Sequence, residues 1–277
     1  MSGTVCGICP HRCRLEEGQV GFCGARVCRN GAIVDDNYGW LTSIALDPIE
    51  KKPLRRFHPG SRILSVGSYG CNFRCPFCQN YEISMSRKRE SGMVYVPPGT
   101  LAEQAKLLVP RGNIGIAFTY NEPFISYEYV RDCSQRNREN GLSNVLVTNG
   151  YVCEEPLRKI LPLIDAMNID LKSFSADFYR RISGGLEDVK RTIEISVRAG
   201  CHVEVTTLII PGANDSPGEM ARLSGWLAGV DPDIPLHVTR FFPRYKMTDR
   251  PPTPVEDVYS LAETARKSLH YVYEGNC

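Results

Sequence analysis

Three closely spaced cysteines have the clearest chemical meaning in this sequence. Cys71, Cys75 and Cys78 form the pattern C-x3-C-x2-C in the segment CNFRCPFC, just after Gly67 and Gly70. A loop with this spacing can place three thiolates at three corners of a [4Fe-4S] cubane and leave the fourth iron without a protein ligand. A structural zinc site is the alternative, but such sites use four ligands, usually paired as C-x2-C. The spacing therefore predicts an iron–sulfur centre with one open coordination position.

A second set of cysteines lies near the amino terminus. Cys6, Cys9, Cys13 and Cys23 are spaced C-x2-C-x3-C-x9-C among several glycines. Four thiolates in short loops can close a tetrahedral zinc site or hold an auxiliary [4Fe-4S] cluster. Free buried thiols are the remaining alternative, although a short glycine-rich segment has little hydrophobic core to hold it together. We expect a metal at these four cysteines, with zinc favoured over a second cluster.

The elements that position these cysteines follow from the hydrophobic pattern after residue 60. Short runs rich in β-branched residues alternate with amphipathic stretches of helical length, which is typical of βαβ units. The predicted strands are 63–66, 114–119, 144–148, 166–170, 203–210 and 236–241. The predicted helices are 101–108, 125–140, 154–164, 186–199, 219–228 and 255–269. Six strand–helix units predict an α/β fold, an open (β/α)6 barrel with all strand carboxyl ends at one face.

Polar residues are concentrated where the predicted strands end. They are Tyr120, Asn121 and Glu122 after the second strand, Asn149 after the third, Asp170 and Lys172 at the fourth, and Arg240 at the sixth. Ligands bind at the carboxyl ends of strands in parallel α/β folds, so we expect these residues to surround one site. Two alternatives stay open: Glu122 as a first-turn carboxylate of the next helix, and Asp170 with Lys172 as a surface ion pair.

Length and composition are those of one large domain with a small appendage. The chain has 277 residues, of which 23% are charged and 42% hydrophobic, as in folded globular proteins. Cysteines and short turns dominate the first part of the chain, which ends in the Pro- and Arg-rich stretch 47–60. We predict a Cys-rich N-terminal module and linker at 1–60 and a (β/α)6 core at 61–277.

Charge and hydropathy limit the possible partners. The net charge of +2 is too small to indicate a nucleic-acid partner, and no run of about 18 apolar residues predicts a membrane span. Unpaired, clustered cysteines and the lack of an apolar signal segment at residues 1–14 favour the cytoplasm. Two local basic runs are expected to be solvated faces, with a docking surface for an acidic partner or a substrate phosphate as the alternative. They are Lys51, Lys52, Arg55 and Arg56, and Arg87, Lys88 and Arg89.

The cysteine loop and its surroundings resemble the radical S-adenosylmethionine (SAM) superfamily. The likeness rests on the C-x3-C-x2-C pattern after the first of six strand–helix units, with Phe77 before the last cysteine and Asn80 two residues after it. It covers residues 63–242. The chain is also similar to the radical SAM enzymes of the AmmeMemoRadiSam system, a group often labelled pyruvate formate-lyase activating enzyme-like. The matching stretches are CGICPHRCRLEEGQVGFCGAR, DPIEKKPLRRFHPGS, CPFCQNYEIS, FTYNEP and HVTRFFPRYKM.

This resemblance implies an activity. A [4Fe-4S] cluster on Cys71, Cys75 and Cys78 is expected to cleave SAM reductively to a 5′-deoxyadenosyl radical. The radical is expected to abstract hydrogen from a substrate, either a glycine of a partner enzyme or a small molecule. A reductant such as flavodoxin or ferredoxin is implied as well. An iron–sulfur redox sensor without enzymatic activity is the alternative.

The resemblance also implies a set of SAM-binding residues. The segment 120–123 is Tyr-Asn-Glu-Pro here and Gly-Gly-Glu-Pro in many members, where it binds the SAM amino group. The segments 147–150 and 168–172 resemble those beside SAM in glycyl-radical-enzyme activating enzymes, although Val147 stands where those enzymes have an aspartate. Thr206 stands where a SAM-contacting arginine is expected. The expected SAM-binding residues are Tyr120, Asn121, Glu122, Asn149, Asp170, Lys172, Thr206 and Arg240.

Overall fold

The computed structural model describes residues 3–87 and 92–277. Its strands are β1 (Thr4–Val5), β2 (Arg14–Leu15), β3 (Arg26–Arg29), β4 (Ala32–Asp35), β5 (Trp40–Leu41), β6 (Ser43–Pro48), β7 (Arg62–Gly67), β8 (Val94–Tyr95), β9 (Asn113–Phe118), β10 (Ser143–Thr148), β11 (Ala166–Asp170), β12 (His202–Ile209), β13 (Leu236–Arg240) and β14 (Val272–Gly275). Its α-helices are α1 (Tyr81–Ser84), α2 (Pro98–Leu107), α3 (Tyr127–Glu139), α4 (Glu154–Ile160), α5 (Ala176–Arg181), α6 (Leu186–Arg198), α7 (Pro217–Val230) and α8 (Val255–Arg266). Short 3-10 helices lie at Ile49–Lys51, Val109–Arg111, Pro123–Ser126 and Leu161–Leu163.

One eight-stranded sheet organises the chain, in the order β14-β13-β12-β11-β10-β9-β7-β6. The strands β7, β9, β10, β11, β12, β13 and β14 pair in parallel, whereas β6 runs antiparallel to β7. The six predicted strands correspond to β7 and β9 to β13, so the predicted α/β fold is confirmed. The structure adds β6 and β14 at the two edges of the sheet, and neither was predicted.

Hydrophobic side chains on the two faces of the sheet fill two different spaces. On the outer face, helices such as α6 bury Leu186, Val189 and Ile193, which recur at helical spacing. At the amino-terminal end of the barrel, Ile49 and Leu54 of the linker pack in one cluster with residues of four strands, Ile63, Ala117, Val145 and Ala166. The linker therefore fills the end of the barrel that lies opposite the carboxyl ends of the strands.

A buried carboxylate ties the linker to the sheet. Glu204 of β12 is 0% exposed and accepts hydrogen bonds from the backbone N–H groups of Arg55 (3.0 Å) and Arg56 (2.8 Å). Its two oxygens also accept from Nε2 of His202 (3.0 Å) and Nε2 of His237 (2.6 Å). Burial alone would raise the pKa of Glu204, but these four donors lower it to about 2. We call this set the barrel-floor network.

The expected solvated face at residues 51–56 is wrong for Lys52. Its side chain is 3% exposed, and Nζ lies 2.8 Å from Oδ2 of Asp47. The same oxygen accepts from the hydroxyl of Tyr120 at 2.8 Å. The guanidinium of Arg56 lies 3.6 Å from the ring centroid of Tyr271. In the second basic run, Lys88 and Arg89 lie outside the described residues.

The amino-terminal residues form a small unit beside the sheet. It contains two antiparallel pairs, β1 with β2 and β3 with β4. Because β6 belongs to the central sheet, the boundary predicted at residue 60 does not coincide with a break in the sheet. The division into 1–60 and 61–277 stays a prediction. No helix in the described part of the chain is both long and apolar enough to cross a membrane.

Candidate active site

A cavity of about 280 Å³ lies at the carboxyl ends of the parallel strands. Its walls contain residues from successive strand ends, as parallel α/β folds require. Among them are Cys71, Cys75, Cys78, Tyr120, Asn121, Glu122, Asn149, Asp170, Lys172 and Thr206. The structure thus brings together the three clustered cysteines and seven of the eight residues predicted beside them.

The cysteine loop begins where β7 ends. Gly70 has φ +86°, and a Cβ there would lie 2.6 Å from the carbonyl oxygen of Cys23, so only glycine fits this approach. The Sγ of Cys71 accepts from the backbone N–H of Phe73 at 3.4 Å and from Nδ2 of Asn149 at 3.8 Å. Both donors stabilise negative charge on this sulfur.

Burial acts against ionisation of the free thiols in this loop. It raises the pKa of Cys71 and raises that of Cys75 to about 12. Since metal ligands must be thiolates, assembly of a cluster has to displace protons from these sulfurs. We therefore expect cluster assembly at this loop to release protons.

The three thiols of this loop are a donor set that suits a [4Fe-4S] cluster, because thiolates are its usual protein ligands. Within residues 3–87 and 92–277, no group of three or more His, Cys, Asp or Glu side chains is arranged to hold one metal ion. Cubane ligands bind separate irons and do not need to converge on one point. Three thiols at the wall of an adjoining cavity also leave room for a ligand of the fourth iron.

Glu122 connects the ends of β9 and β10. The residue is 2% exposed, and its carboxylate accepts from the backbone N–H groups of Phe124 (3.0 Å) and Asn149 (2.8 Å) and from Oγ1 of Thr148 (2.8 Å). Burial raises its pKa to about 7 even with these donors present. Glu122 therefore caps the 3-10 helix Pro123–Ser126, as the first-turn alternative anticipated, and also lines the cavity.

Asparagine side chains hold the cysteine loop against neighbouring strand ends. Oδ1 of Asn121 accepts from the backbone N–H of Ser68 at 2.9 Å, and its Nδ2 donates to the carbonyl of Gly70 at 3.1 Å. Asn149 donates from Nδ2 to Oδ1 of Asn72 at 2.8 Å. The three amides thus fix the backbone that carries Cys71. Asn72 was not predicted.

Asp170 and Lys172 form an ion pair in the cavity wall. Nζ of Lys172 lies 2.9 Å from Oδ2 of Asp170, and the two side chains are 16% and 33% exposed. Burial acts to lower the pKa of Lys172, but the charges of Asp170 and Cys75 raise it overall. Nearby, Oγ1 of Thr206 donates to Oδ1 of Asn168 at 3.0 Å. The pair lines the cavity rather than the outer surface.

Arg240 does not line this cavity, so the structure does not bring it together with the other predicted residues. In the sheet, Thr206 pairs with His237 and Leu208 pairs with Thr239, whereas Arg240 pairs with Ile209. Successive residues of a strand face opposite sides, so Arg240 points away from the barrel interior. Its Nε donates to the carbonyl of Thr253 at 2.6 Å. Thr239 lines the cavity instead.

Three other residues that line the cavity were not among the predicted site residues. Pro53 belongs to the linker, Thr239 to β13, and Asn276 to the end of the chain. Strand alternation, counted from Thr206 through the pairing of β12 with β13, is a signal that identifies Thr239.

The four amino-terminal cysteines face a separate, smaller cavity. Cys6, Cys9, Cys13 and Cys23 line a space of about 10 Å³. The backbone N–H of Phe22 donates to Sγ of Cys13 at 3.4 Å. Burial raises the pKa of Cys23 and raises that of Cys9 to about 12. All four residues are cysteines, which bind zinc or an iron–sulfur cluster as thiolates.

A parallel α/β sheet with three cysteines in the loop after β7 defines a class of enzymes that carry an iron–sulfur cluster in an open barrel. The family model described as the radical SAM superfamily matches residues 65–224. The chain belongs to the radical SAM superfamily, as the cysteine spacing indicated. Members of this family are enzymes that use a [4Fe-4S] cluster, SAM, a reductant and a substrate.

Relatives of this chain include proteins with and without a known activity. An uncharacterized protein of Methanocaldococcus jannaschii, MJ0808, is 42% identical over 274 residues, which is 98% of this chain and 80% of that protein. The pyruvate formate-lyase-activating enzyme of Clostridium pasteurianum is 25% identical over 183 residues, 62% of this chain and 71% of that enzyme. A radical SAM methyltransferase from Sphaerobacter thermophilus has the same fold, with a TM-score of 0.57 at 18% identity over 79% of this chain and 67% of that chain.

Proposed function

We propose that this chain cleaves SAM reductively and uses the resulting 5′-deoxyadenosyl radical to abstract hydrogen from a substrate. The observation that carries this proposal is that Cys71, Cys75 and Cys78 line one cavity together with the polar ends of four strands. The [4Fe-4S] cluster, when bound to these cysteines, supplies the electron that breaks the sulfonium bond of SAM. The remaining cavity residues bind and orient SAM.

The charges of the cavity wall match the charges of the methionine part of SAM. Lys172 is a cation positioned for the SAM carboxylate, and Asp170 is an acceptor for the ribose hydroxyls. Glu122 supplies a buried carboxyl group for the amino group, and the positive charge of that amino group would favour the ionised form of Glu122. Asn149 and Thr206 complete the polar wall. Tyr120 and Asn121 act through their backbone, since the polar ends of their side chains are bonded to Asp47 and to the cysteine loop.

The size of the cavity favours a substrate that enters at its mouth. A volume of about 280 Å³ is at the lower limit of about 300 to 1,000 Å³ for a site that holds one ligand. Bound SAM therefore leaves little room, and a narrow group such as a glycine on a loop of a partner enzyme fits best. The activating enzyme among the relatives supports this choice. A small-molecule substrate is the second candidate.

Anaerobic SAM cleavage tests the proposal. The protein is reconstituted with iron and sulfide, reduced with dithionite and given SAM, and 5′-deoxyadenosine and methionine are measured by chromatography. Cys75→Ala should lose both the cluster and the products. Cys28→Ser is the matched control, because Cys28 is buried but does not line either cysteine cavity. Wild-type protein with a reducible cluster that neither binds nor cleaves SAM would favour the redox sensor instead.

We also infer that Cys6, Cys9, Cys13 and Cys23 bind a metal. They share one cavity, and an N–H···S bond already reaches Cys13. Zinc is the first candidate and an auxiliary [4Fe-4S] cluster the second. Metal analysis of the purified protein separates them, since two cubanes require about eight irons per chain. We infer a flavodoxin or ferredoxin as the electron donor, in the cytoplasm, where unpaired cysteines stay reduced.

A further inference from the structure

The four-cysteine site lies directly against the loop that carries Cys71. The backbone N–H of Cys71 donates to the carbonyl of Cys23 at 3.1 Å. The guanidinium of Arg74 donates to the carbonyl of Phe22 and lies 4.1 Å from the centroid of the Phe22 ring. A residue of one cysteine set is thus hydrogen-bonded through its backbone to a residue of the other.

A second contact also joins the amino-terminal cysteine segment to the loop. His11 lies between Cys9 and Cys13 in the sequence, and its Nε2 donates to the carbonyl of Asn72 at 2.8 Å. The His11 ring lies 4.3 Å from the ring centroid of Phe22 and 5.3 Å from that of Tyr151. Since Asn72 follows Cys71, both contacts hold the same end of the cysteine loop.

The segment that makes these contacts has little regular secondary structure. Between Cys6 and Cys23 the structure describes the two-residue strand β2 and a single bridge from Val20 to Val27, besides isolated backbone hydrogen bonds such as that from Gly21 to Arg26. Segments with so little secondary structure and core depend on cross-links or metals for a defined shape. Gly70 lies so close to the carbonyl of Cys23 that a shift of this segment toward Gly70 would displace the cysteine loop.

We propose that a metal bound to Cys6, Cys9, Cys13 and Cys23 acts as a clamp on the loop 68–78, so that occupancy of this site controls how readily the loop accepts its cluster. The proposal rests on the metal site inferred above for these four cysteines. An ordered loop assembles a cluster more easily because its conformational entropy has already been lost. The clamp acts on the loop through the residues of 6–23 that contact it, namely His11, Phe22 and Cys23.

Amide hydrogen exchange in the full-length chain tests the clamp without using SAM. The measurements are made in Cys75→Ala protein, so that no cluster at Cys71 and Cys78 holds the loop. The amino-terminal site is loaded with zinc, or with iron and sulfide, as metal analysis of the wild type directs. Adding Cys9→Ser should remove this metal and speed exchange in 68–78 about tenfold, the effect expected from the loss of a net hydrogen bond. Exchange in β12 should not change, and Cys28→Ser is the control.

Each outcome decides for or against the clamp. Unchanged exchange in 68–78 after measured loss of the metal overturns it, and so does a wild type with neither zinc nor iron at the four cysteines. If Cys9→Ser speeds exchange in β12 as well, the variant is unfolding. Hydrogen exchange in the His11→Phe variant then provides the test of the clamp. That variant keeps all four thiols and an aromatic ring but loses the bond to Asn72. Faster exchange confined to 68–78, with the metal retained, supports the clamp, and unchanged exchange overturns it. Failure of SAM cleavage is a separate result, because none of these readouts depends on it.

Discussion

Replacing Glu204 with glutamine tests how strongly the linker is tied to the barrel. Glu204 is fully buried with four hydrogen-bond donors around its carboxylate, and its pKa is lowered from an ordinary 4.5 to about 2. At about 1.36 kcal/mol per pKa unit, this lowering corresponds to about 3 kcal/mol of stability at neutral pH. Glutamine keeps the size of the side chain but replaces one carboxylate oxygen with an NH2 group. This group cannot accept a hydrogen bond from the donors that face it. We expect Glu204→Gln to lower the free energy of unfolding by about 3 kcal/mol and Tm by roughly 6 to 12 °C.

The pH dependence of this difference follows from the sign of the pKa change. A carboxylate whose folded-state pKa is depressed contributes fully above its unfolded value, and the contribution is lost as pH falls toward the folded value. The stability difference between wild type and Glu204→Gln should therefore shrink as the pH falls below about 4.5. Urea unfolding under anaerobic conditions, with both proteins at the same metal content, measures it.

A surface glutamate provides the control for Glu204→Gln. Glu187 pairs with Lys190 at 3.0 Å, but its side chain is 77% exposed. Glu187→Gln should change the free energy of unfolding by less than about 1 kcal/mol. The reasoning is refuted if Glu204→Gln costs no more than this control at pH 7, or if its cost grows as the pH falls.

Two further substitutions test the cavity and its loop. Gly70→Ala should lower the iron content per chain and cost at least about 1 kcal/mol in stability, because its Cβ would meet the carbonyl of Cys23 at 2.6 Å. Gly60→Ala is its control, since Gly60 has a similar φ of +82° and open space around it, and equal losses would contradict the steric argument. Asp170→Asn should raise the Kd for SAM about tenfold in equilibrium dialysis, because it removes the charged acceptor proposed for the ribose hydroxyls, while the absorption of the cluster stays the same. An unchanged Kd would remove Asp170 from the proposed SAM site.

The sequence predicted six of the seven parallel strands because each of these six carries its own local signal. The six predicted strands end within one residue of β7 and β9 to β13. In contrast, β6 and β14 are strands because they pair with β7 and β13, and this pairing is not visible in a local pattern. The proline at the end of β6 also reads as a break, although edge strands tolerate proline.

The predicted residues that line the cavity combine a suitable polar side chain with a position at or near the end of a strand. For Arg240 the chemistry was suitable, but the side chain faces outward, and Thr239 occupies the cavity wall. Choosing between neighbours on a strand requires the register with the adjacent strand, which is a tertiary property. The buried state of Lys52 and the contacts of Glu204 with the linker depend on residues far apart in the chain. A basic run in the sequence does not show which of its residues become buried or which distant residues they contact.

The linker beneath the barrel has a kinetic consequence for the proposed reaction. Ile49 and Leu54 fill the lower end of the barrel, and Pro53 forms part of the cavity wall above them. A ligand bound beside the cysteine loop is therefore enclosed at the end of the barrel that the linker fills. A second ligand that enters at the cavity mouth would cover the first one. We expect a compulsory order of addition in which SAM binds first. A substrate that arrives early would be an inhibitor, and increasing its concentration should slow turnover when SAM is limiting.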